Sequence, residues 1–235
     1  MGRHFEVRAA SMAATAKKKS AIYMRASKEI YMAAKRGVPD PNSNLALRAA
    51  IDKYRKQCPK DVIDRAIKKA QGGEATNYIE GRYEAYGPAG SYLIIDTLTD
   101  NSNRALVNVR TIVTRKGGHL GDVAYNFEQV GILDFKYDGT AESLEEILIL
   151  GDVDVREVSV EEGYAEVLVE PSAFEAAKAV LAENGITDYE AAEVTYKAND
   201  EITLEGEEKQ KFQNLLDDLD DCEDVQNVYH NVNLN

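Results

Sequence analysis

KKKSAIYMRASKEIYMAAKRG, residues 17–37, decides how the fold of this chain begins. Its apolar residues recur about every 3.6 positions, the spacing that brings side chains to one face of an α-helix. That face holds Ile22, Tyr23, Ala26, Ile30, Tyr31, Ala33 and Ala34, and the opposite side holds Arg25, Lys28, Lys35 and Arg36. We therefore predict a helix over Ser20–Arg36 that ends at Gly37 and Pro39.

Two more amphipathic helices follow before the first composition change. Asn44 is a good N-cap for the second helix, and Pro59 with Asp61 opens the third. Their apolar stripes contain Leu47, Ala50, Ile51, Tyr54, Ile63, Ala66, Ile67 and Ala70. Gly72 and Gly73 end the segment. The pattern predicts a small helical bundle with a basic exterior.

Charge is divided sharply along the chain. Residues 1–73 contain 17 Lys and Arg against 6 Asp and Glu, a net charge of +11. Residues 74–235 contain 11 Lys and Arg against 35 Asp and Glu, a net charge of −24. Such asymmetry is typical of a protein with a nucleic-acid-binding part attached to an acidic body. The alternative is a chance skew among solvated surface residues.

The chain after residue 77 alternates between strand and helix patterns. Two strands flank the turn signal Gly87–Gly90, and a helix is predicted over Asn103–Lys116. VAYNFEQVGILDFKYD, residues 123–138, is interpreted as two short strands around Glu128–Gly131. Further helices are predicted at residues 143–150, 173–184 and 205–219, with strands between and after them.

This element order predicts an α+β protein with two β-α-β-β-α-β units, one written inside the other. The expected fold is an N-terminal three-helix domain plus two ferredoxin-like (βαββαβ) domains. We predict a basic helical domain at residues 1–77 and a discontinuous α+β domain at residues 78–136 and 203–235. The inserted α+β domain is predicted at residues 137–202.

Three long motifs carry a family resemblance. NSNLALRAAIDKYRKQCPKDVIDRAIKKAQGG, YEAYGPAGSYLIIDTLTDNSNR and RKGGHLG occur in this order. They resemble the corresponding blocks of the YebC/PmpR family, and the resemblance covers essentially the whole chain. The opening GRHFEVRAASMAATAKKKS departs from the usual start of the family and resembles its YeeN-type branch. The resemblance implies the same architecture, a helical domain followed by two α+β domains, one inserted into the other.

The resemblance also implies a function. Family members are commonly described as cytoplasmic, DNA-binding transcriptional regulators. Others are described as translation factors that act with the ribosome, including relief of stalling at proline runs. The expected partner is therefore DNA, with ribosomal RNA as the alternative, and no membrane or small-molecule substrate is expected. Scaffolding between proteins through the acidic part is a third possibility.

The basic residues of the helical segment are the candidate nucleic-acid-binding residues. Lysine and arginine bind phosphate backbones, and the counterions that they release provide much of the binding free energy. The candidates are Lys17, Lys18, Lys19, Arg25, Lys28, Lys35, Arg36, Arg48, Arg55, Lys56, Lys68 and Lys69. No Asn, Gln or Arg spacing dictates base contacts, so recognition dominated by shape and phosphate is expected. A solvated helix surface is the alternative interpretation.

Other motifs favour structural roles. Gly117 in RKGGHLGD stands where a helix C-cap is expected, and GPAG is typical of a hairpin turn. Tyr23, Tyr31 and Tyr54 fall on apolar helix faces, which favours burial over base stacking.

No sequence pattern points to chemistry. The three histidines are scattered, and Cys58 and Cys222 lack metal-ligand spacing. No catalytic motif appears, so we predict no enzyme, no metal and no cofactor. No apolar run reaches the ~18 residues that a membrane helix needs. Without an export signal, a cytoplasmic location with free thiols is expected.

Overall fold

A computed structural model describes residues 16–72 and 76–234 of the chain. Within them the helices are α1 (Ala16–Arg36), α2 (Leu45–Tyr54), α3 (Lys60–Gln71), α4 (Ser102–Arg115), α5 (Ala141–Leu150), α6 (Phe174–Glu183) and α7 (Gly206–Asp220). The strands are β1 (Ile79–Tyr86), β2 (Tyr92–Thr99), β3 (His119–Leu120), β4 (Phe127–Lys136), β5 (Val155–Glu161), β6 (Tyr164–Val169), β7 (Tyr189–Ala198), β8 (Ile202–Thr203), β9 (Val225–His230) and β10 (Val232–Asn233). The predicted α+β class with a helical N-terminal region is confirmed.

The described residues form two compact units. Residues 128–197 make up one unit, and residues 16–72, 76–127 and 198–234 make up the other. We call them the inserted unit and the main unit. The three-domain boundaries drawn from the sequence stay a prediction.

The three helices α1 to α3 share one apolar core in the main unit. Their buried side chains include Ala26, Ile30, Tyr31, Ala34, Leu47, Ala50, Tyr54, Ile63 and Ala66. The predicted burial of Tyr31 and Tyr54 is confirmed, with Tyr31 only 1% exposed, and Tyr23 packs half-buried against the same core.

Asn44 joins the first two helices. Its side-chain oxygen accepts a hydrogen bond from the Leu47 amide at 3.0 Å, which confirms the predicted N-cap of α2. Its amide nitrogen donates to the carbonyls of Ala33 at 2.9 Å and Val38 at 2.8 Å. One buried side chain therefore satisfies groups at the start of α2, at the end of α1 and in the loop between them.

The main unit also contains a four-stranded sheet in the order β3-β1-β2-β9. The β1–β2 hairpin turns through Pro88–Gly90, as predicted, and α4 and α7 cover the sheet with Phe212, Leu215 and Val109 in the core. Gly117, with a φ of 87°, follows α4 and confirms the predicted left-handed turn. Strands β8 and β10 pair in parallel and form a separate two-stranded sheet.

The inserted unit has its own sheet and core. Its four strands lie in the order β5-β6-β4-β7, the arrangement of a ferredoxin-like fold. Helices α5 and α6 pack on it through fully buried Leu144, Leu148 and Leu181, against Leu133 and Phe135 of β4.

The strand interpretation of residues 123–138 was wrong in one respect. Phe127–Lys136 is a single strand, and it belongs wholly to the inserted sheet. The main unit was expected to take a strand of its sheet from this stretch, but β1 occupies that position in the sheet instead. Gly131, which looked like a break, lies inside the strand. A Cβ at that position would lie 2.8 Å from the Phe174 ring, so glycine there allows close packing.

Among the described residues, no helix is both long and apolar enough to cross a bilayer.

Candidate nucleic-acid interface

The candidate cations divide into two groups according to what they contact. α1, α2 and α3 turn their apolar faces inward, so that their basic residues lie at or near the surface. Some of these residues nevertheless reach the sheet of the main unit, and others point to solvent. The distinction decides which of them are available to a ligand.

Arg25 belongs to the first group. Its guanidinium donates to the backbone carbonyls of Asp220 at 2.7 Å and Val225 at 3.2 Å. It also lies 3.2 Å from the Asp220 carboxylate, and its side chain is only 18% exposed. Arg25 therefore fastens α1 to the segment between α7 and β9.

Lys28 makes a similar attachment one turn later. Its ammonium donates to the carbonyls of Leu98 at 3.1 Å and Glu223 at 2.6 Å. Burial lowers the pKa of Lys28, although the nearby carboxylates of Asp224 and Glu223 act in the opposite direction. The sequence predicted Arg25 and Lys28 as nucleic-acid contacts because it does not reveal their partners, which lie about 70 to 200 residues away along the chain. In the structure they hold the helices on the sheet, and the interface proposed below excludes them.

A buried polar group completes this attachment. The Gln226 amide donates to the Arg25 carbonyl at 2.9 Å, to Glu29 at 3.2 Å and to the Tyr54 hydroxyl at 3.2 Å. Lys53 lies 3.3 Å from Glu29 and from the side chain of Asn227. Sequence reasoning missed Gln226, Glu29, Lys53 and Asn227 as docking residues, and no local pattern marks them.

A cleft of about 250 Å³ lies where α1 meets the sheet. Its lining is formed by Met24, Ser27, Lys28, Tyr78, Asp100, Arg104 and Glu223. Arg104 is paired with Asp100 at 2.8 Å and Asp224 at 2.6 Å. Asp100 and Asp224 neutralise Arg104, and the Lys28 ammonium is already engaged by the carbonyls of Leu98 and Glu223, so neither cation of this cleft is free for an anion.

Arg36 and Arg48 remain at the surface with internal contacts. Arg36 lies 2.9 Å from Glu80, and this hydrogen bond raises its pKa. The Arg48 guanidinium donates to the carbonyls of Pro41 at 3.1 Å and Asn42 at 3.0 Å. A carbonyl does not cancel the charge of Arg48, whereas Glu80 largely cancels that of Arg36.

The second group of cations is exposed and unengaged. Lys19, Lys35 and Lys68 make no hydrogen bond or ion pair within residues 16–72 and 76–234. Lys60, which the sequence did not single out, shares this property at the first position of α3. These four ammonium groups are free to meet an external anion.

The remaining candidates have mixed surroundings. Lys69 is exposed and lies over the Tyr31 ring, 5.5 Å from its centroid. This contact brings the end of α3 beside the last turns of α1, where Lys35 stands four residues after Tyr31. Arg55 and Lys56 are exposed and have partners within the chain. The side chains of Lys17 and Lys18 lie outside the described part of the structure.

Helix polarity also favours these positions. Lys35 and Arg36 occupy the last turn of α1, and Lys68 with Lys69 occupies the last turn of α3. Cations at helix C-termini interact favourably with the helix dipole, which supplies a structural reason for part of the basic pattern. In the residues that the structure describes, no group of three His, Cys, Asp or Glu could hold a metal ion.

Comparison with known proteins covers the whole chain. Residues 3–73 match the model of the TACO1/YebC protein N-terminal domain, and residues 78–232 match the TACO1/YebC second and third domain. The chain is 51% identical over 238 residues to "Probable transcriptional regulatory protein Mfl546" of Mesoplasma florum, with 100% of both chains covered. It is 44% identical over 218 residues to "Probable transcriptional regulatory protein YeeN" of Escherichia coli K12, with 91% of each covered.

A solved structure shows the same fold. The crystal structure of the conserved hypothetical protein Aq1575 from Aquifex aeolicus superposes with a TM-score of 0.77 at 30% identity. The similarity covers 94% of this chain and 93% of that one.

Proposed function

Because this chain belongs to the TACO1/YebC family, we propose that it is a non-enzymatic, DNA-binding regulator of transcription in the cytoplasm. The family resemblance predicted from its motifs is confirmed. Its relatives in M. florum and E. coli are named as probable transcriptional regulatory proteins, which supports the regulatory role. Binding of DNA, the contact residues and the absence of catalysis are our proposal.

The observation that carries the proposal is the set of exposed, unengaged lysines on the helical segment, by which we mean α1 to α3. Lys19, Lys35, Lys60 and Lys68 have no partner in the described part of the chain, although the chain as a whole is strongly acidic. Isolated like charges on one segment repel each other and gain most by meeting a polyanion. We take these four, with Arg48 and Lys69, as the phosphate-binding surface.

The mechanism is electrostatic. Each lysine that meets a phosphate releases condensed counterions, so affinity falls as salt rises. The acidic α7 and the loop after it, with Glu207, Asp218 and Glu223 exposed, repel the same phosphates and leave the helical segment as the favoured contact. The effect on transcription then depends on the position at which the protein binds the nucleic acid.

Two measurements test the proposal. Fluorescence anisotropy with duplex DNA and the full chain should show affinity that falls steeply with salt; salt-independent binding would overturn it. Crosslinking in cells, with sequencing of the attached nucleic acid, should return promoter DNA. Reads dominated by ribosomal RNA would overturn the transcriptional role in favour of a ribosome-associated one.

A further inference from the structure

Four aromatic rings meet at one end of the main-unit sheet. The Tyr86 ring stacks on His119, with centroids 4.9 Å apart and planes 16° from parallel. Tyr92 meets Tyr86 edge-on at 5.6 Å, and the hydroxyls of Tyr86 and Tyr125 lie 3.2 Å apart. We call these four residues the aromatic cluster. None of them belongs to the helical segment that carries the unengaged lysines.

Two glycines allow the His119–Tyr86 stack. The register of β1 with β3 places Tyr86 opposite His119. A Cβ at Gly118 would lie 2.3 Å from the Tyr86 carbonyl oxygen, and one at Gly121 would lie 2.9 Å from the Tyr86 ring. Any other residue at these positions would push the loop away from the ring. Glycine here is a requirement of the stack, beyond the C-cap role of Gly117.

The segment that carries Tyr125 is also fixed. A Glu84 carboxylate oxygen accepts hydrogen bonds from the amides of Val123 and Ala124, both at 2.7 Å. The Tyr86 hydroxyl donates to the Asp122 carbonyl at 3.1 Å. The Asn199 side-chain amide donates to the Tyr125 carbonyl at 3.2 Å. The rings are therefore held in position before any ligand arrives, which reduces the entropy cost of binding.

The cluster faces solvent although it is built rigidly. Tyr125 is 69% exposed, and His119 is exposed as well, while Tyr86 and Tyr92 are half-buried. An exposed tyrosine of this size forgoes the burial that usually stabilises aromatic side chains. A rigid, exposed aromatic surface favours contact with a flat partner.

We propose that the aromatic cluster is a stacking platform for an unpaired nucleobase. This inference rests on the proposed function, in which the partner is nucleic acid. A nearly parallel pair such as His119–Tyr86 can be continued by another planar ring, and stacking of bases on aromatic side chains is tolerant of sequence. Arg115, exposed at the end of α4 and four residues before His119, has no partner within the described residues, so its charge is available to a phosphate.

The platform adds a second type of contact to the protein. The helical segment meets phosphates, which a duplex and a single strand both display. The aromatic cluster meets the face of a base, which only an unpaired or flipped-out nucleotide exposes. The protein would then prefer a nucleic acid that contains a duplex next to an unstacked base.

The test uses the full chain and a short single-stranded oligothymidine with one 2-aminopurine, whose fluorescence is quenched on stacking. The wild type should quench it, and His119→Ala and Tyr125→Ala should each weaken the binding about five- to tenfold. Tyr125→Phe and His119→Phe keep a ring and should retain wild-type affinity. Absence of quenching by the wild type, or equal losses in the Ala and Phe variants, would overturn the platform.

Duplex binding measured on the same samples separates the two proposals. Absence of quenching by the wild type, with its salt-dependent duplex binding intact, overturns the platform and leaves the proposed function standing. Quenching that persists without duplex binding overturns the proposed function and keeps the platform. Because Tyr125 is largely exposed, we expect its substitution to leave the fold unchanged.

Discussion

The guanidinium of Arg104 forms a two-point pair with the carboxylate of Asp224, at 2.6 Å and 3.0 Å. The Asp224 carboxylate is fully buried and also accepts a 2.7 Å hydrogen bond from the Thr99 hydroxyl. Burial alone would raise the pKa of Asp224, but the hydrogen bonds from Arg104 and Thr99 outweigh it, and the pKa is lowered. This pair ties the start of α4 to the turn before β9.

Asp224→Asn should make the free energy of unfolding less dependent on pH in the acidic range. A carboxylate with a lowered folded pKa stabilises the fold above its unfolded pKa of about 3.9. That stabilisation is lost as the pH falls through the folded pKa. The variant should unfold at lower urea than the wild type at pH 7, and the gap should narrow below about pH 4. Asp52→Asn, which changes an exposed carboxylate without a partner in the described residues, is the control. A constant gap at every pH would contradict the assignment.

Arg25→Gln should destabilise the main unit without changing nucleic-acid binding. The variant loses hydrogen bonds from a mostly buried guanidinium to two carbonyls and a carboxylate. We expect a cost of about 2 kcal/mol in the free energy of unfolding, measured by urea titration. Lys19→Gln, an exposed position on the same helix, should cost less than about 0.5 kcal/mol. A lower salt dependence of DNA binding in Arg25→Gln would return Arg25 to the interface.

The double variant Lys35→Gln with Lys68→Gln should weaken duplex binding and flatten its salt dependence. Each phosphate contact contributes a slope of about 0.9 in the plot of log affinity against log salt. Loss of both contacts should therefore reduce the slope by up to about 1.8. Lys136→Gln with Lys211→Gln removes the same charge from exposed positions outside the helical segment. If that control reduces the slope equally, only net charge matters and the interface is wrong.

Asn44→Ala should destabilise the helical segment. The substitution removes the N-cap of α2 and leaves the carbonyls of Ala33 and Val38 without their donor. A lost cap costs about 1 kcal/mol, and the two unpaired carbonyls should raise the total to about 2 kcal/mol. Asn42→Ala, at an exposed position in the same loop, should be nearly neutral. Thermal unfolding followed by circular dichroism gives the comparison.

Leu148→Ala should loosen the core of the inserted unit. Leu148 is fully buried, and its truncation should cost about 3 kcal/mol through lost burial and a cavity. Leu150→Ala on the same helix changes a side chain that is 80% exposed and should have little effect. Hydrogen exchange across residues 128–197 should show faster exchange in the first variant only. Equal protection in both variants would contradict the core assignment.

Local patterns predicted the helices and the first hairpin well. The stripe from Ile22 to Ala34 and the cap at Asn44 depend on neighbours within a few residues, so the sequence contains all that is needed to find them. Gly131 shows where such reasoning stops. Glycine at this position leaves room for the Phe174 ring of another element, whereas the local pattern predicted an interruption of the strand.

The candidate interface was predicted only in part for the same reason. A helical wheel separates basic from apolar faces, but it cannot show that Arg25 and Lys28 meet carbonyls at the far end of the chain. Lys60 was overlooked because it stands at a helix start, outside any basic run. The stack of Tyr86 on His119 depends on strand register, which composition does not reveal.

The backbone amide of Asn199 donates to the backbone carbonyl of Asn126 at 2.9 Å, where the chain returns to the main unit and where it leaves it. A hydrogen bond thus already links the residues that flank the 70-residue inserted unit on either side. A short splice between these two asparagines should close the backbone without opening the first sheet. Gene rearrangement or protein engineering could therefore exchange the inserted unit for another module, because the fold keeps its departure and arrival points side by side.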